Sequence, residues 1–368
     1  NVSTWSVTTT AESSSAGTSF DLAFSGDTVL LAYKNSGENT HILSIVTSTD
    51  GGSTWGSEVN VVTRDITSSD GSSAVLGAQI GSDGSFHVLF ESAASGTEAL
   101  PHQMIYASST NAGATWSTTT IAEETGLDAF TFEMGSLSLD SDNNPGVLYM
   151  QLDDIACPSS CNVTTTFKLA KRASDFTWST STINSSLASS GVSANPKNIQ
   201  LLFPNNTDYP LAFYCGADYN PVWSVSTTTD PYLFNNTTVS STDVAVNTSM
   251  GLAYNTSSEY VAMTYIASGG QLVFATSALS LPEEEEAWNG NLSSITDLGS
   301  NTWTRLIYAN DQYNYFYAGA NDEGNYYINL TTSTNGVDGT WSEDNWVTDS
   351  PIRPSVDMGD SFPIFDIQ

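Results

Sequence analysis

A short phrase that recurs along the chain constrains the fold more than any other feature of the sequence. It reads STDGGSTW at Ser48–Trp55 and STNAGATW at Ser109–Trp116, and it returns with one extra residue at Ser333–Trp341 and in degraded form at Ala173–Trp178. In such a phrase the Asp or Asn side chain hydrogen-bonds to the backbone two residues on, a glycine takes a positive φ, and the tryptophan begins the next strand. Each copy therefore predicts a tight β-turn between two strands and not a catalytic motif.

Short apolar strands that end in an aromatic residue form a second repeat. Their spacings are 57, 59, 65, 51, 52 and 48 residues, which suits one four-stranded propeller blade with its turns. We predict an all-β fold, a β-propeller of four-stranded antiparallel blades in a single domain over residues 1–368. Seven blades are favoured and six stay open, with Thr4–Thr10 as an outer strand that closes the last blade; two β-sandwich domains would explain the spacing but not the recurring turn. The aromatic residues that end these strands are Tyr33, Phe90, Tyr149, Tyr214, Tyr265, Tyr317 and Phe365.

The recurring phrase resembles the Asp-box, or BNR repeat, of the sialidase-like β-propeller superfamily, which includes secreted fungal-type propellers that act on carbohydrate. In that family the Asp-box turn joins the third and fourth strands of a blade, on the face opposite the working one. The resemblance implies a functional face built from the loops between second and third strands and from the loops between blades. The sialidase signature itself is incomplete, because no F-R-I-P-like start is present and only Arg64, Arg305 and Arg353 are left to hold a substrate carboxylate.

The charge of the chain excludes two classes of partner. Forty acidic residues stand against eight Lys and Arg, giving a formal net charge of -32. Nucleic acids and anionic membranes are bound mainly by basic side chains, so neither is expected as a partner. No stretch approaches the length of about eighteen apolar residues that a membrane helix needs. We expect a soluble, monomeric protein suited to an acidic exterior.

Ten N-x-[S/T] sequons indicate glycosylated surface loops in a secreted, extracellular chain. The lack of an initiator Met and of a signal sequence fits a mature form from which a leader has been removed. In an oxidising compartment Cys157 and Cys161 are close enough to form a disulfide, whereas Cys215 is expected to be a buried free thiol. The sequon asparagines are Asn1, Asn162, Asn184, Asn205, Asn235, Asn236, Asn247, Asn255, Asn291 and Asn329.

The predicted functional face collects acids, aromatics and a few cations in its loops. A sugar site needs rings for the apolar sugar face and carboxylates for hydroxyls and acid–base chemistry. A uronate would also need its carboxylate neutralised while a base removes a proton, which His102 with Arg64 or Arg353 can supply; His41 and His87 are expected to be structural. The catalytic candidates are His102, Arg64, Arg353, Glu91 and Asp65, and the substrate-binding candidates are Asp153, Asp154, Asp218, Tyr219 and Arg305.

These residues favour an enzyme that recognises a terminal sugar and cleaves it. The resemblance offers two chemistries, that of an exo-glycosidase and that of a lyase acting between rhamnose and glucuronate. A non-catalytic lectin is the first alternative, and a structural surface or fibre glycoprotein is the second. No cofactor or metal site is predicted; calcium stays open, although the segment Asp140–Asn144 reads as a hairpin rather than as a calcium loop.

Overall fold

In the residues that the structure describes, the regular secondary structure consists of β-strands. No helix that could cross a membrane occurs in the part of the chain that is described. The computed structural model describes residues 19–37, 40–65, 72–93, 101–124, 135–154, 163–188, 199–204, 209–216, 220–226, 228, 232–239, 250–255, 260–268, 271–277, 292–297, 304–309, 311–320, 326–334, 342 and 345–346.

Six sheets follow one another along these residues, and each has four antiparallel strands in sequence order. A four-stranded meander of this kind is the blade of a β-propeller, so the predicted all-β propeller class is confirmed. The predicted seventh repeat at Pro363–Phe365 and the predicted closing strand at Thr4–Thr10 lie outside the described residues.

The chain divides into two compact units, so the single domain over 1–368 stays a prediction. The first unit, built on residues 1–127, holds two sheets. Sheet 1 contains β1 (Phe20–Ser25), β2 (Thr28–Gly37), β3 (Thr40–Ser48) and β4 (Val59–Asp65), and sheet 2 contains β5 (Ser72–Ile80), β6 (Phe86–Ala93), β7 (His102–Ser109) and β8 (Ser117–Glu124).

The second unit, built on residues 128–362, holds four sheets. Sheet 3 contains β9 (Gly135–Leu139), β10 (Pro145–Asp154), β11 (Val163–Arg172) and β12 (Trp178–Ala188). Sheet 4 contains β13 (Gln200–Leu202), β14 (Leu211–Cys215), β15 (Pro221–Ser226) and β16 (Phe234–Thr238). Sheet 5 contains β17 (Gly251–Asn255), β18 (Tyr260–Ile266), β19 (Gln271–Thr276) and β20 (Leu292–Asp297), and sheet 6 contains β21 (Thr304–Ala309), β22 (Gln312–Ala320), β23 (Tyr326–Ser333) and β24 (Asn345–Trp346).

The predicted aromatic repeat marks the second strand of every sheet. Its members lie in β2, β6, β10, β14, β18 and β22, and all six rings are buried. Alternate residues on a strand point to opposite faces, so a second strand in the middle of a sheet buries side chains on both of its faces. Cys215, at the end of β14, is a buried free thiol as predicted.

The recurring turns join the third and fourth strands of their sheets, as predicted. In the first turn Asp50 Oδ1 accepts hydrogen bonds from Thr54 N and Ser48 Oγ, each at 2.8 Å, while Ser48 Oγ accepts one from Gly52 N at 2.9 Å. In the second turn Asn111 takes the place of Asp50 and accepts from Thr115 N at 2.9 Å. Two polar side chains, a serine and an Asp or Asn, thus accept hydrogen bonds from backbone donors inside each turn.

A backbone hydrogen bond closes the neck of the first turn, from Gly56 N to Thr47 O at 2.8 Å. In sheet 6 Ser342 N donates to Thr332 O, also at 2.8 Å, although the phrase between them has one residue more. The neck therefore has the same backbone geometry for turns of two lengths.

Apolar side chains fill the space between successive sheets within each unit. Polar side chains of the first strands add hydrogen bonds to the amides of the next sheet: Asp21 Oδ2 accepts from Ala78 N at 2.5 Å in the first unit, and Ser136 Oγ accepts from Leu201 N at 3.0 Å in the second. These bonds fix the first strands next to each other. The core between sheets 1 and 2 includes Leu30, Ala32, Leu43, Ile45, Phe86, Val88, Phe90, Ile105 and Ala107.

Candidate functional site

The candidate site lies in the first unit, at the end of sheets 1 and 2 away from the recurring turns, which we call the open end. Here β3 begins, β4 and β6 end, and β7 begins. Each of these strands carries one or more of the residues that the sequence singled out. The predicted catalytic residues of this unit that the structure describes therefore all lie at the open end.

Arg64 is the central side chain between the two sheets at this end. Its Nη1 donates to the carbonyl oxygen of Ser92 at 2.5 Å and to Ser92 Oγ at 3.0 Å, and its Nη2 donates to the carbonyl oxygen of Pro101. Ser92 and Pro101 flank the connection from β6 to β7, so one guanidinium binds both stems of that connection. Burial lowers the pKa of Arg64, and the negative charge of Glu123 opposes this shift.

His41 completes the contact between the sheets. It is buried, and its Nδ1 lies 3.0 Å from Ser92 Oγ. His41 is also the register partner of Arg64 in the pairing of β3 with β4, so both side chains point from sheet 1 towards sheet 2. His41, Arg64 and Ser92 form a packed polar junction.

The face of sheet 2 turned towards sheet 1 can be read from strand alternation. Phe86, Val88 and Phe90 belong to the core between the sheets, and Ser92 continues their face. On β7 this face carries Ile105 and continues to Gln103, whose Nε2 donates to Glu123 Oε2 at 2.5 Å.

Glu91 and His102 therefore lie on the other face of sheet 2. Glu91 pairs with Met104 in the register of β6 with β7, and His102 is two positions further along β7. Diagonal neighbours of this kind lie about 7–8 Å apart, within reach of long side chains. Glu91 is 6% exposed, whereas His102 is half-buried. The fold thus brings a buried carboxylate next to a more accessible imidazole.

The other catalytic candidates do not join this pair. Arg64 occupies the opposite face of sheet 2, and Asp65 is exposed on the face of sheet 1 turned away from Arg64. The side chains of Arg64 and His102, which were predicted to act together, therefore lie on opposite faces of sheet 2. They are linked through the backbone, because Arg64 binds the carbonyl of Pro101, the residue before His102. Arg353 lies outside the described residues.

The prediction that these residues lie in loops is wrong. β6 continues through Glu91 to Ala93, and β10 continues through Asp153 to Asp154. His102 begins β7, and Arg64 and Asp65 end β4. Strand pairing uses backbone groups, so polar side chains near a sheet end do not stop it.

The remaining predicted residues belong to the second unit or are not described. Asp153, Asp154 and Arg305 are located on their strands by backbone alone, as is Asn329. The following lie outside the described residues: Asp218, Tyr219, Cys157, Cys161, Asn1, Asn162, Asn205, Asn247 and Asn291.

Sequence reasoning missed the residues that hold Arg64. Ser92 could not be recognised, because a serine after a glutamate in a strand is common. The carbonyl of Pro101 could not be recognised either, because every residue has a backbone carbonyl. The structure also links His87, as a structural residue, to Ser85 Oγ at 2.6 Å and Tyr106 OH at 2.5 Å. In the described part of the chain no three His, Cys, Asp or Glu side chains are grouped as a metal would require.

Known proteins resemble this chain in structure but not in sequence. A scan against protein-family models and a search of curated proteins found no match. Among solved structures, the α-L-arabinanase of Penicillium chrysogenum complexed with arabinobiose matches at 14% identity and a TM-score of 0.44, over 73% of this chain and 80% of that one. A mutant of Aleuria aurantia lectin in complex with α-methyl-L-fucoside matches at 10% identity and a TM-score of 0.46, over 92% of this chain and 95% of the lectin. Trypanosoma rangeli sialidase in complex with sialic acid matches at 10% identity and a TM-score of 0.44, over 86% of this chain and 54% of the sialidase.

Proposed function

We propose that the protein is a secreted enzyme that cleaves a terminal sugar from extracellular carbohydrate, with His102 and Glu91 as its acid–base pair. The observation that carries the chemistry is their position on one face of sheet 2, at the open end. A carboxylate beside an imidazole orients the ring and stabilises its charged form, which suits proton transfer near neutral or mildly acidic pH. The carbohydrate class rests on the resemblance of the recurring turns to the Asp-box.

Hydrolysis is the reaction that this arrangement favours. His102 would donate a proton to the glycosidic oxygen as its bond to the sugar breaks, and a water molecule would add to the sugar carbon and lose a proton to a base. Elimination from a uronate needs in addition a cation at the substrate carboxylate. Arg64, the described candidate for that cation, is occupied on the opposite face by Ser92 and Pro101.

The test is release of sugar from a glycan panel at about pH 4 to 5, where partial protonation of carboxylates relieves the repulsion of a strongly acidic protein. Fucoside, arabinobiose and sialic acid are named for the solved structures above, so their glycans set the first compounds to try; rhamnose–glucuronate glycans are included. New reducing ends without unsaturated uronate indicate hydrolysis, and unsaturated uronate indicates elimination.

Variants connect the activity to the pair. We expect Glu91→Gln and His102→Gln each to lower kcat by 100-fold or more, the order that general acid–base catalysis contributes. Asp27→Asn, an exposed carboxylate at the opposite end of sheet 1, is the matched control and should leave the rate unchanged. Binding of glycans without release would replace the enzyme by a lectin, and full activity of both variants would remove the pair from the site.

A further inference from the structure

Two sequon asparagines converge on one buried hydroxyl in the second unit. Tyr214 of β14 is fully buried, and its ring stacks on Phe167 of β11 with ring centres 4.1 Å apart. Asn236 of β16 accepts a hydrogen bond from the Tyr214 hydroxyl at 3.1 Å, and Asn184 of β12 lies near enough to this hydroxyl to lower the pKa of Tyr214. These asparagines therefore contribute to the contact between sheets 3 and 4.

The amide of Asn236 is used at both of its ends. Its Oδ1 accepts hydrogen bonds from Ser224 Oγ at 2.5 Å and from the Tyr214 hydroxyl at 3.1 Å, and its Nδ2 donates to the carbonyl oxygen of Ile183 at 3.1 Å. Ile183 belongs to β12, so Nδ2 points at the backbone of the neighbouring sheet. A sugar attached to this nitrogen would have to be placed against that backbone.

Asn235 lacks these hydrogen bonds although it is the adjacent residue. It pairs with Val225, whereas Asn236 pairs with Ser224, so the two side chains leave opposite faces of sheet 4. Both asparagines are exposed on β16, an edge strand of the described sheet, so what distinguishes the two is the hydrogen bonding of Asn235. Its side chain makes no hydrogen bond to the described part of the chain.

We propose that Asn235 carries an N-linked glycan and that Asn236 and Asn184 stay unmodified in the folded protein. The proposal rests on the secretory route stated above but not on the catalytic assignment. In the modification the amide nitrogen forms a bond to the first carbon of an oligosaccharide, the bond from that carbon to a lipid diphosphate breaks, and the nitrogen loses a proton. Asn255 belongs with the unmodified group, because it is only 8% exposed.

The selection between the two neighbours follows from folding. Glycans are added to sequons in extended chain, where both asparagines are equally accessible. A chain modified at Asn236 has to move this amide away, so the Ser224 and Tyr214 hydroxyls lose one acceptor and the carbonyl oxygen of Ile183 loses a donor, which is costly at a buried contact. Secreted, folded molecules should therefore carry the glycan at Asn235, where it covers the unpaired backbone groups of an edge strand.

The overlap of the two sequons provides a test that leaves both asparagines in place. Thr237→Ala removes the sequon of Asn235 only, and Thr238→Ala removes that of Asn236 only. The full chain is secreted from a eukaryotic host, and the peptide that contains both residues is mapped by mass spectrometry before and after enzymatic deglycosylation. We expect Thr237→Ala to lose one glycan and Thr238→Ala to lose none.

A further variant extends the test to Asn184. Ser186→Ala removes its sequon and should change neither the glycan count nor the yield. A glycan at Asn236 or Asn184, or an unmodified Asn235 in the secreted wild-type chain, overturns the proposal. The sugar-release assay is scored separately on the same material, so failure of the catalytic assignment and failure of this proposal are distinguished.

Discussion

Arg64 binds Ser92 twice, through the carbonyl oxygen at 2.5 Å and through the hydroxyl at 3.0 Å. Ser92 directly follows Glu91, and the second carbonyl that Arg64 binds, that of Pro101, directly precedes His102. One side chain from sheet 1 thus fixes the backbone next to both members of the proposed catalytic pair from the opposite side of sheet 2. Arg64 has the geometry of a positioning residue.

Replacing Arg64 should lower stability and turnover together. Arg64→Ala leaves two carbonyl oxygens without their charged donor. The loss of each such hydrogen bond lowers the free energy of unfolding by up to about 3 kcal/mol. We expect a lower urea midpoint, a reduced kcat and an almost unchanged KM, because Arg64 does not contact substrate. Arg172→Ala, which removes a cation stacked on the exposed ring of Phe176, is the control. A large rise in KM at unchanged stability would show that Arg64 binds substrate directly.

The first turn should make stability depend on pH. Hydrogen bonds from Thr54 and Ser48 lower the pKa of Asp50 from 3.8 to about 2. A depressed pKa stabilises the fold above the unfolded value, and that contribution is lost as the pH falls from about 4 to about 2. The difference in urea midpoint between wild type and Asp50→Asn should shrink over this interval. Asn111→Asp should introduce the same dependence in the second turn, and a constant difference from pH 5 to pH 2 would argue against the mechanism.

The second turn contains a residue that glycine should improve. Ala112 has a φ of 53°, whereas the equivalent position of the first turn is Gly51, with a φ of 68°. Ala112→Gly removes the strain of a left-handed residue, which stabilises the fold by about 1 kcal/mol. The added flexibility of the unfolded chain destabilises the fold by a smaller amount. Thermal unfolding should therefore show a small increase in Tm. Gly113→Ala, at a φ of 85°, should do the reverse.

The ion pair of Lys171 with Asp140 should respond very differently to single and double replacement. The two atoms Nζ and Oδ2 lie 2.8 Å apart, and the side chains are only 8% and 9% exposed. Lys171→Met removes the cation from a buried carboxylate, which keeps the backbone donors of Asp142 and Asn144, and should cost about 3 kcal/mol in the free energy of unfolding. Adding Asp140→Asn should recover much of that loss. A double variant as unstable as the sum of both single variants would mean that the two charges do not interact.

The turns and the repeat length could be predicted because both depend on local sequence. Ser48, Asp50 and Gly52 interact within five residues of one another, and the buried aromatic of each second strand recurs once per sheet. The ends of strands were harder to predict, because residues such as Glu91 and Asp153 look like loop residues while their backbone continues to pair.

The candidate site could be predicted only in part. Glu91 and His102 were both named from sequence, yet their common face follows from the register of β6 with β7, which one residue of slippage would have reversed. The position of Arg64 depends on two backbone carbonyls. Because every residue has a carbonyl, the sequence does not indicate which two Arg64 binds. The structural use of Asn236 was hidden for a similar reason, since its partners Ser224 and Ile183 lie on other strands.

The two neck hydrogen bonds, Gly56 to Thr47 and Ser342 to Thr332, have the same length although the turns differ by one residue. The pairing of the strands therefore does not depend on the length of the turn. Because the same backbone hydrogen bond, of 2.8 Å in both cases, closes each neck, whatever lies beyond it can grow without displacing the sheet. The tip of such a turn is therefore a suitable place to insert a foreign peptide for display, with the blade itself serving as the carrier.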